Sequence, residues 1–487
     1  MVWLARCAHA AEPALVATPR AIVLPVSATN RPFLAAARTE QAVALEAAGY
    51  SESEFQVSGL ADISDWSAAG NAPVVRTADV PYTTRMLLRR PNDPRKFSGL
   101  VIVELLDAST LYDRAPLWGL SSQQFLRHGD AWVGITVRPS ALAALRRFDP
   151  VRYGALGFAY NQAADCRSSD LRRNPADAES GLAWDMIAQV GALLRSSSKE
   201  NPLLDLNPHS LVAAGYAQAG ADVTTYANTM HALLRRGDGA PIYDGYLSAA
   251  SALFTAPINQ CAPPLTATDA RRGVLPRDVP FVAVSTETDF NQLPVLRRAD
   301  SDAPEDLFRL YEIAAGAVAG SWPTGTPSAA DLRIAGFTPP TDACSEPRST
   351  LPQGLVFNAI WQQYADFLAS GHALPNLPRI ETLDDGGARR DEAGNTSGGW
   401  RLPQLEVPLA RYARGTPRDG NDAAAACSLG STQQPFDAAR LKSLYHTRVE
   451  YLRRFRAAVD AAVKEHRLVA ADGEALKVAQ ASTAPQF

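Results

Sequence analysis

Five residues, Gly215-Tyr216-Ala217-Gln218-Ala219, have the spacing of a turn built to present a catalytic nucleophile. In acyl-transfer enzymes such a serine sits in Gly-x-Ser-x-Gly, where small neighbours let a strand reverse sharply into a helix. Here the steric frame is present, with Ala219 in place of the last glycine, but position 217 carries alanine instead of a hydroxyl. A nucleophile in this setting needs an acid and a base, in the chain order nucleophile, acid, histidine. The acid follows a late strand. Thr286-Glu-Thr-Asp289 comes directly after the apolar run Val279–Ser285, so Asp289 is the first candidate and Glu287 the alternative. The base belongs after the next strand, yet the loop Ala315–Trp322 contains no histidine. Of the histidines beyond the acid, His446 and His466 fall in a long helical pattern and His372 just past another, where surface or packing roles are expected. Two backbone donors would cradle a developing oxyanion: the N–H of Gln218, and one near Leu106 or Asp107. Trp118, Tyr216 and Trp322 are candidate pocket walls, with core packing as the competing reading of each.

These groups need a rigid frame, and the chain supplies its pattern. Short, continuous apolar runs at Gly99–Glu104, Ala131–Val137, Ser210–Gly215, Val279–Ser285 and Phe308–Ala314 read as strands buried on both faces. Helical periodicity appears at Leu120–His128, Leu182–Arg195, from the turn to about Arg236, at Leu355–Ala369 and at Leu441–Lys464. Strands alternating with helices predict a mostly parallel central sheet with helices on both faces. Before it, Gln56–Gly59, Val74–Arg76 and Tyr82–Leu88 are further strand candidates, and Leu405–Leu409 is a short one after it. The expected organisation is an irregular start over 1–30, a core over 45–320, and a C-terminal extension of lid-like loops and packing helices over 321–487.

Composition narrows the function classes. The 487 residues carry a net charge of −4 without a long basic run, which argues against a nucleic-acid partner. No apolar stretch approaches the length of about 20 residues that a membrane helix needs. The five cysteines form no CxxC pair, so no metal site is called for, and without a glycine-rich phosphate loop no cofactor is expected. Cys261, Cys344 and Cys427 lie in Pro- and Gly-rich segments, where disulfides and free thiols are equally open readings. Ala8-His-Ala10 resembles a signal-peptidase site behind too short an apolar core, which leaves secreted, periplasmic and cytoplasmic locations open.

Further stretches carry a resemblance. They are Pro81-Tyr-Thr-Thr-Arg85, Arg90-Pro91, Phe97–Glu104, Gly129–Ile135, Asp149–Gly154, Asn259-Gln-Cys261, Thr286–Asp289 and Gly398–Pro403. Together with the turn they resemble a family of large bacterial and fungal α/β-hydrolase-domain proteins of the serine esterase kind. That family's turn reads Gly-Tyr-Ser-Gln-x-Gly, and its late loop Ala-Gly-x-x-His-x-x-Trp. Aligned on these motifs, the serine falls on Ala217 and the histidine on Ala319. The resemblance implies the α/β-hydrolase fold and, in intact members, hydrolysis of a small-molecule ester or lactone. It implies that this chain is inactive as written, by deliberate replacement or by natural decay into a ligand-binding pseudoenzyme.

Overall fold

The computed structural model describes residues 14–27, 30–67, 70, 72–160, 175–266, 268–320, 323–339, 344–418 and 426–486. Trp322 and the segment around Ala8–Ala10 lie outside the described residues.

The frame is a nine-stranded sheet. Its strands are β1 (Arg20–Leu24), β2 (Tyr50–Trp66), β3 (Pro73–Pro91), β4 (Leu100–Leu105), β5 (Ala131–Ile135), β6 (Ser210–Tyr216), β7 (Gly245–Ala249), β8 (Arg277–Thr286) and β9 (Asp306–Ile313). Their spatial order is β9-β8-β7-β6-β4-β5-β3-β2-β1. The six strands from β9 to β5 run parallel, while β3, β2 and β1 form an antiparallel edge. Every residue of β4, β5 and β7 is buried, which is why β4 and β5 read as continuous apolar runs.

Seven helices are used below: α1 (Pro116–His128), α2 (Ala183–Arg195), α3 (Gln218–Thr229), α4 (Gly354–Ser370), α5 (Ala438–Tyr445), α6 (Arg448–Lys464) and α7 (Ala470–Thr483). Consecutive strand residues point to opposite faces. The Tyr216 ring meets Phe357 of α4 at 6.2 Å between centroids, whereas a Cβ on Gly215 would meet Ala219 of α3. So α3 and α4 cover opposite faces of the sheet. On the α4 side, Phe125 of α1 packs edge-on against Trp361 at 5.5 Å, and Tyr364 Oη donates to the carbonyls of Tyr246 and Pro280.

Three expectations need correcting. The helix after the turn ends at Thr229, short of Arg236, because Leu234–Arg235 leaves it to pair with Ala14–Leu15. The helix expected over Leu441–Lys464 is two: His446 takes φ 60°, and Thr447 then caps α6, accepting from the Glu450 N–H at 3.1 Å. That Thr-x-x-Glu spacing is a helix-start signal. Leu405–Leu409 is not a strand. Pro403 opens a short helix, Pro403–Glu406, and the strand begins later, where Ala410–Arg414 pairs with Ser431–Pro435.

Candidate active site

The parallel register brings several strand ends to one edge. Tyr216 of β6 pairs with Ala249 of β7, Ala249 with Val284 of β8, and Thr286 of β8 with Ile313 of β9. Immediately beyond these ends the backbone is strained. Ala217, Ala250 and Ala315 follow β6, β7 and β9 with φ of 53°, 51° and 58°, and Leu111, in the loop after β4, has φ 69°. Positive φ costs a non-glycine residue on the order of 1–3 kcal/mol, so the surroundings must over-determine it; such residues gather at functional sites.

At Ala217 the surroundings are visible. β6 stops at Tyr216, Ala217 takes φ 53° and ψ −119°, and α3 begins at Gln218. The Ala217 N–H donates to Ala249 O at 2.9 Å. A Cβ on Gly215 would lie 2.2 Å from Ala219 O, and one on Gly220 would lie 2.9 Å from both Ala249 O and Ser251 Cβ. The small residues around position 217 are therefore steric requirements of the turn. As the first residue of α3, Gln218 has a backbone N–H with no acceptor inside the helix.

Asp289 and Glu287 behave differently. Asp289 is fully buried. Its Oδ1 accepts from the Thr286 N–H at 2.6 Å and the Thr286 hydroxyl at 2.8 Å, and its Oδ2 from the Ala252 N–H at 3.3 Å. Burial pushes its pKa up to about 6, with these hydrogen bonds opposing the rise. Glu287 instead ties loops together. Its Oε2 accepts from the Ala315 N–H at 2.7 Å and from the Thr396 hydroxyl, and its Oε1 makes an ion pair with Arg390 at 2.7 Å, off hydrogen-bonding geometry.

The loop carrying Ala319 is anchored on three sides. Tyr216 Oη donates to Ala317 O at 2.9 Å, Val318 N–H donates to Thr288 Oγ1 at 3.0 Å, and Ala319 N–H donates to Leu429 O at 2.8 Å. Thr288 Oγ1 also donates to Leu429 O at 3.2 Å. The segments holding positions 217, 289 and 319 are thus joined by hydrogen bonds one or two residues from each. His372, His446 and His466 are all exposed.

Other expected site residues sit elsewhere in the packing. Tyr216 is fully buried and braces the loop instead of walling a pocket. Trp118 is also fully buried, stacked under the Arg89 guanidinium at 4.3 Å and against Trp132 at 5.3 Å, so it belongs to the core. The N–H groups of Leu106 and Asp107 already donate, to Ile135 O at 2.9 Å and Arg114 O at 3.0 Å, so neither is available to an oxyanion.

Two largely buried ion pairs at this edge escaped the sequence reading. Asp107 holds Arg114 at 2.5 Å, and Asp222 of α3 holds Arg138, whose Nε lies 2.9 Å from Asp222 Oδ2. Arg138 stands just past the end of β5 and Arg114 in the longer loop after β4, the only sequence signal they carry. Cys344 and Cys427 form a disulfide with Cα atoms 5.4 Å apart, and Cys261 is disulfide-bonded as well.

A family model described as an alpha/beta hydrolase domain matches residues 16–478. The chain belongs to that α/β-hydrolase family. No curated protein matches it. Among solved structures, this α/β-hydrolase is similar to the esterase Est22, at 10% identity and a TM-score of 0.32 over 67% of this chain and 82% of that one. It is similar to a dienelactone hydrolase from Anabaena variabilis, at 12% identity and a TM-score of 0.27 over 52% and 88%. An alpha-beta serine hydrolase homologue from Coxiella burnetii matches at 10% identity and a TM-score of 0.27 over 47% and 82%. Among the described residues, no helix is long and apolar enough to cross a membrane, and no cluster of side chains could hold a metal ion.

Proposed function

We propose that this α/β-hydrolase is a carboxylic ester or lactone hydrolase of the Ser-His-Asp type, with its nucleophile and base positions, 217 and 319, both occupied by alanine. The observation that carries the reading is the strained turn at Ala217, held at φ 53° on the carboxyl edge of the sheet with the buried Asp289 in the loop after β8. A serine there would attack the acyl carbon, and a histidine at 319 would take its proton and return it to the leaving oxygen. Asp289 Oδ2, with one long hydrogen bond from Ala252, would orient the imidazole. Glu287 is the weaker candidate for the acid, because Ala315, Thr396 and Arg390 already engage it. The Gln218 N–H remains as an oxyanion donor whatever the side chain at 217. With neither nucleophile nor base, the chain as written turns over no ester.

The test is Ala217→Ser combined with Ala319→His, assayed on p-nitrophenyl acetate. Loss of a serine-hydrolase nucleophile costs about 10⁶ in turnover in a well-studied case, so the double variant should exceed the parent by at least about 10³-fold. A folded double variant no faster than its parent would sink the reading. A second reading, a receptor that binds an ester or acid without turnover, draws on the three backbone N–H groups of Ala317–Ala319 all finding acceptors in the absence of an imidazole. It expects ligand-induced thermal stabilisation in the parent and no turnover in the double variant. The Cys344–Cys427 bond favours an oxidising, extracytoplasmic location under either reading.

A further inference from the structure

The loop after β9 is held at each backbone N–H from Ala317 to Ala319, and the acceptors come from three places. Thr288 reaches it from the loop after β8, Leu429 O from the C-terminal segment, and Gln353 from the start of α4. Gln353 differs from the other two, because its side chain also contacts the strand that ends at position 217.

Its carboxamide makes three contacts. Oε1 accepts from the Ala317 N–H at 2.8 Å. Nε2 donates to the Ala317 carbonyl oxygen and to the Tyr216 hydroxyl, each at 3.3 Å. Tyr216 Oη in turn donates to the same carbonyl at 2.9 Å, which closes a ring of hydrogen bonds. Although Gln353 stands immediately before α4, its side chain caps no N–H of that helix. Burial pushes the Tyr216 pKa up, so the phenol keeps its proton and remains a donor. A carboxamide suits this ring because it accepts with one atom and donates with the other; a carboxylate can only accept, and a thioether does neither well.

We propose that Gln353 is a positioning residue, which sets the spacing between positions 217 and 319 by tying Tyr216 to Ala317. The proposal rests on the hydrolase reading for the meaning of those two positions. Tyr216 directly precedes the nucleophile position, and Ala317 stands two residues before the base position. They are 101 residues apart in the chain, so contacts through space fix their separation. A base at 319 must come within hydrogen-bond reach of a hydroxyl at 217, and a misplacement of about 1 Å can cost about 10²-fold in rate.

The test has two arms. In the parent chain, Gln353→Met should speed amide hydrogen exchange over residues 315–319 by at least about 10-fold, read by mass spectrometry, through local opening of the loop. In the Ala217→Ser/Ala319→His chain, Gln353→Met should lower kcat on p-nitrophenyl acetate by about 10–10²-fold well below the melting transition, with KM little changed. Tyr216→Phe should also lower kcat there, and adding Gln353→Met to it should cost much less than the product of the two single losses, because both remove one tie. An unchanged kcat, equal changes in kcat and KM, or fully multiplicative losses overturn the positioning role. If Gln353→Met does not fold, Gln353→Glu carries the test. Its ionised carboxylate would face the Ala317 carbonyl, and protonation would restore a donor, so its kcat relative to the glutamine chain should rise from about pH 8 to about pH 5; a ratio flat in pH overturns the role. A double variant that hydrolyses the ester and ignores Gln353→Met leaves the hydrolase reading standing without the positioning role. A folded double variant with no turnover overturns both, and the exchange arm then reports a purely structural clamp.

Discussion

Asp289 is a fully buried carboxyl group with no cation paired to it among the described residues. Desolvation raises its pKa to about 6, so the ionised form strains the native state by roughly 3 kcal/mol. The sign follows from which state ionises first. Near pH 3 both states are protonated and the penalty is absent; as pH rises, the unfolded chain ionises first, so stability falls until the folded group ionises near pH 6, and the penalty is complete above that. Asp289→Asn should therefore raise the melting temperature relative to the parent more at about pH 8 than at about pH 4. A pH-independent difference would show that the site is wetter than the structure implies. Sequence put Asp289 ahead of Glu287 but kept both, because both occupy the same short loop. What separates them is distant in the chain: Thr396 and Arg390 occupy Glu287, while Ala252 reaches Asp289.

The turn at position 217 was the most legible piece of structure, because its constraint is local. A strand, two small residues and a helix must fit within a few ångströms, and the glycines record it. Gly215→Ala puts a methyl 2.2 Å from the Ala219 carbonyl oxygen, where only backbone can yield. It should destabilise the fold by about 1–3 kcal/mol in urea unfolding, with the m-value unchanged. Gly157→Ala, outside the left-handed region and with only the tip of Arg146 nearby at 3.8 Å, controls for lost backbone freedom alone. If the two substitutions behave alike, packing at the turn is not what requires glycine there. The fully buried strands β4 and β5 came next, since burial on both faces leaves few polar positions to confuse the pattern. The break at His446 was not. The apolar stripe continues in phase across it, so periodicity reports one helix where Thr447 caps a second.

The C-terminal third was the least legible, and the reason is range. Its role at the site depends on partners that no local pattern reveals. Leu429 O receives the Ala319 N–H and the Thr288 hydroxyl, and two residues before it Cys427 is bonded to Cys344 across a sequence separation of 83. The disulfide therefore anchors the carbonyl that holds both the loop after β8 and the loop after β9. Closing a loop of this length stabilises by about 2–4 kcal/mol, chiefly by restricting the unfolded chain. Cys344→Ser with Cys427→Ser should lower stability by that order. It should also affect chemistry in a way that simple destabilisation does not. In the Ala217→Ser/Ala319→His background, freeing Leu429 lets the imidazole wander from Asp289, while α3 keeps its own packing. The expected signature is a fall in kcat on p-nitrophenyl acetate, well below the melting transition, with KM little changed. Equal losses in kcat and KM, or none in either, would mean that Leu429 holds the two loops without help from the bridge beside it.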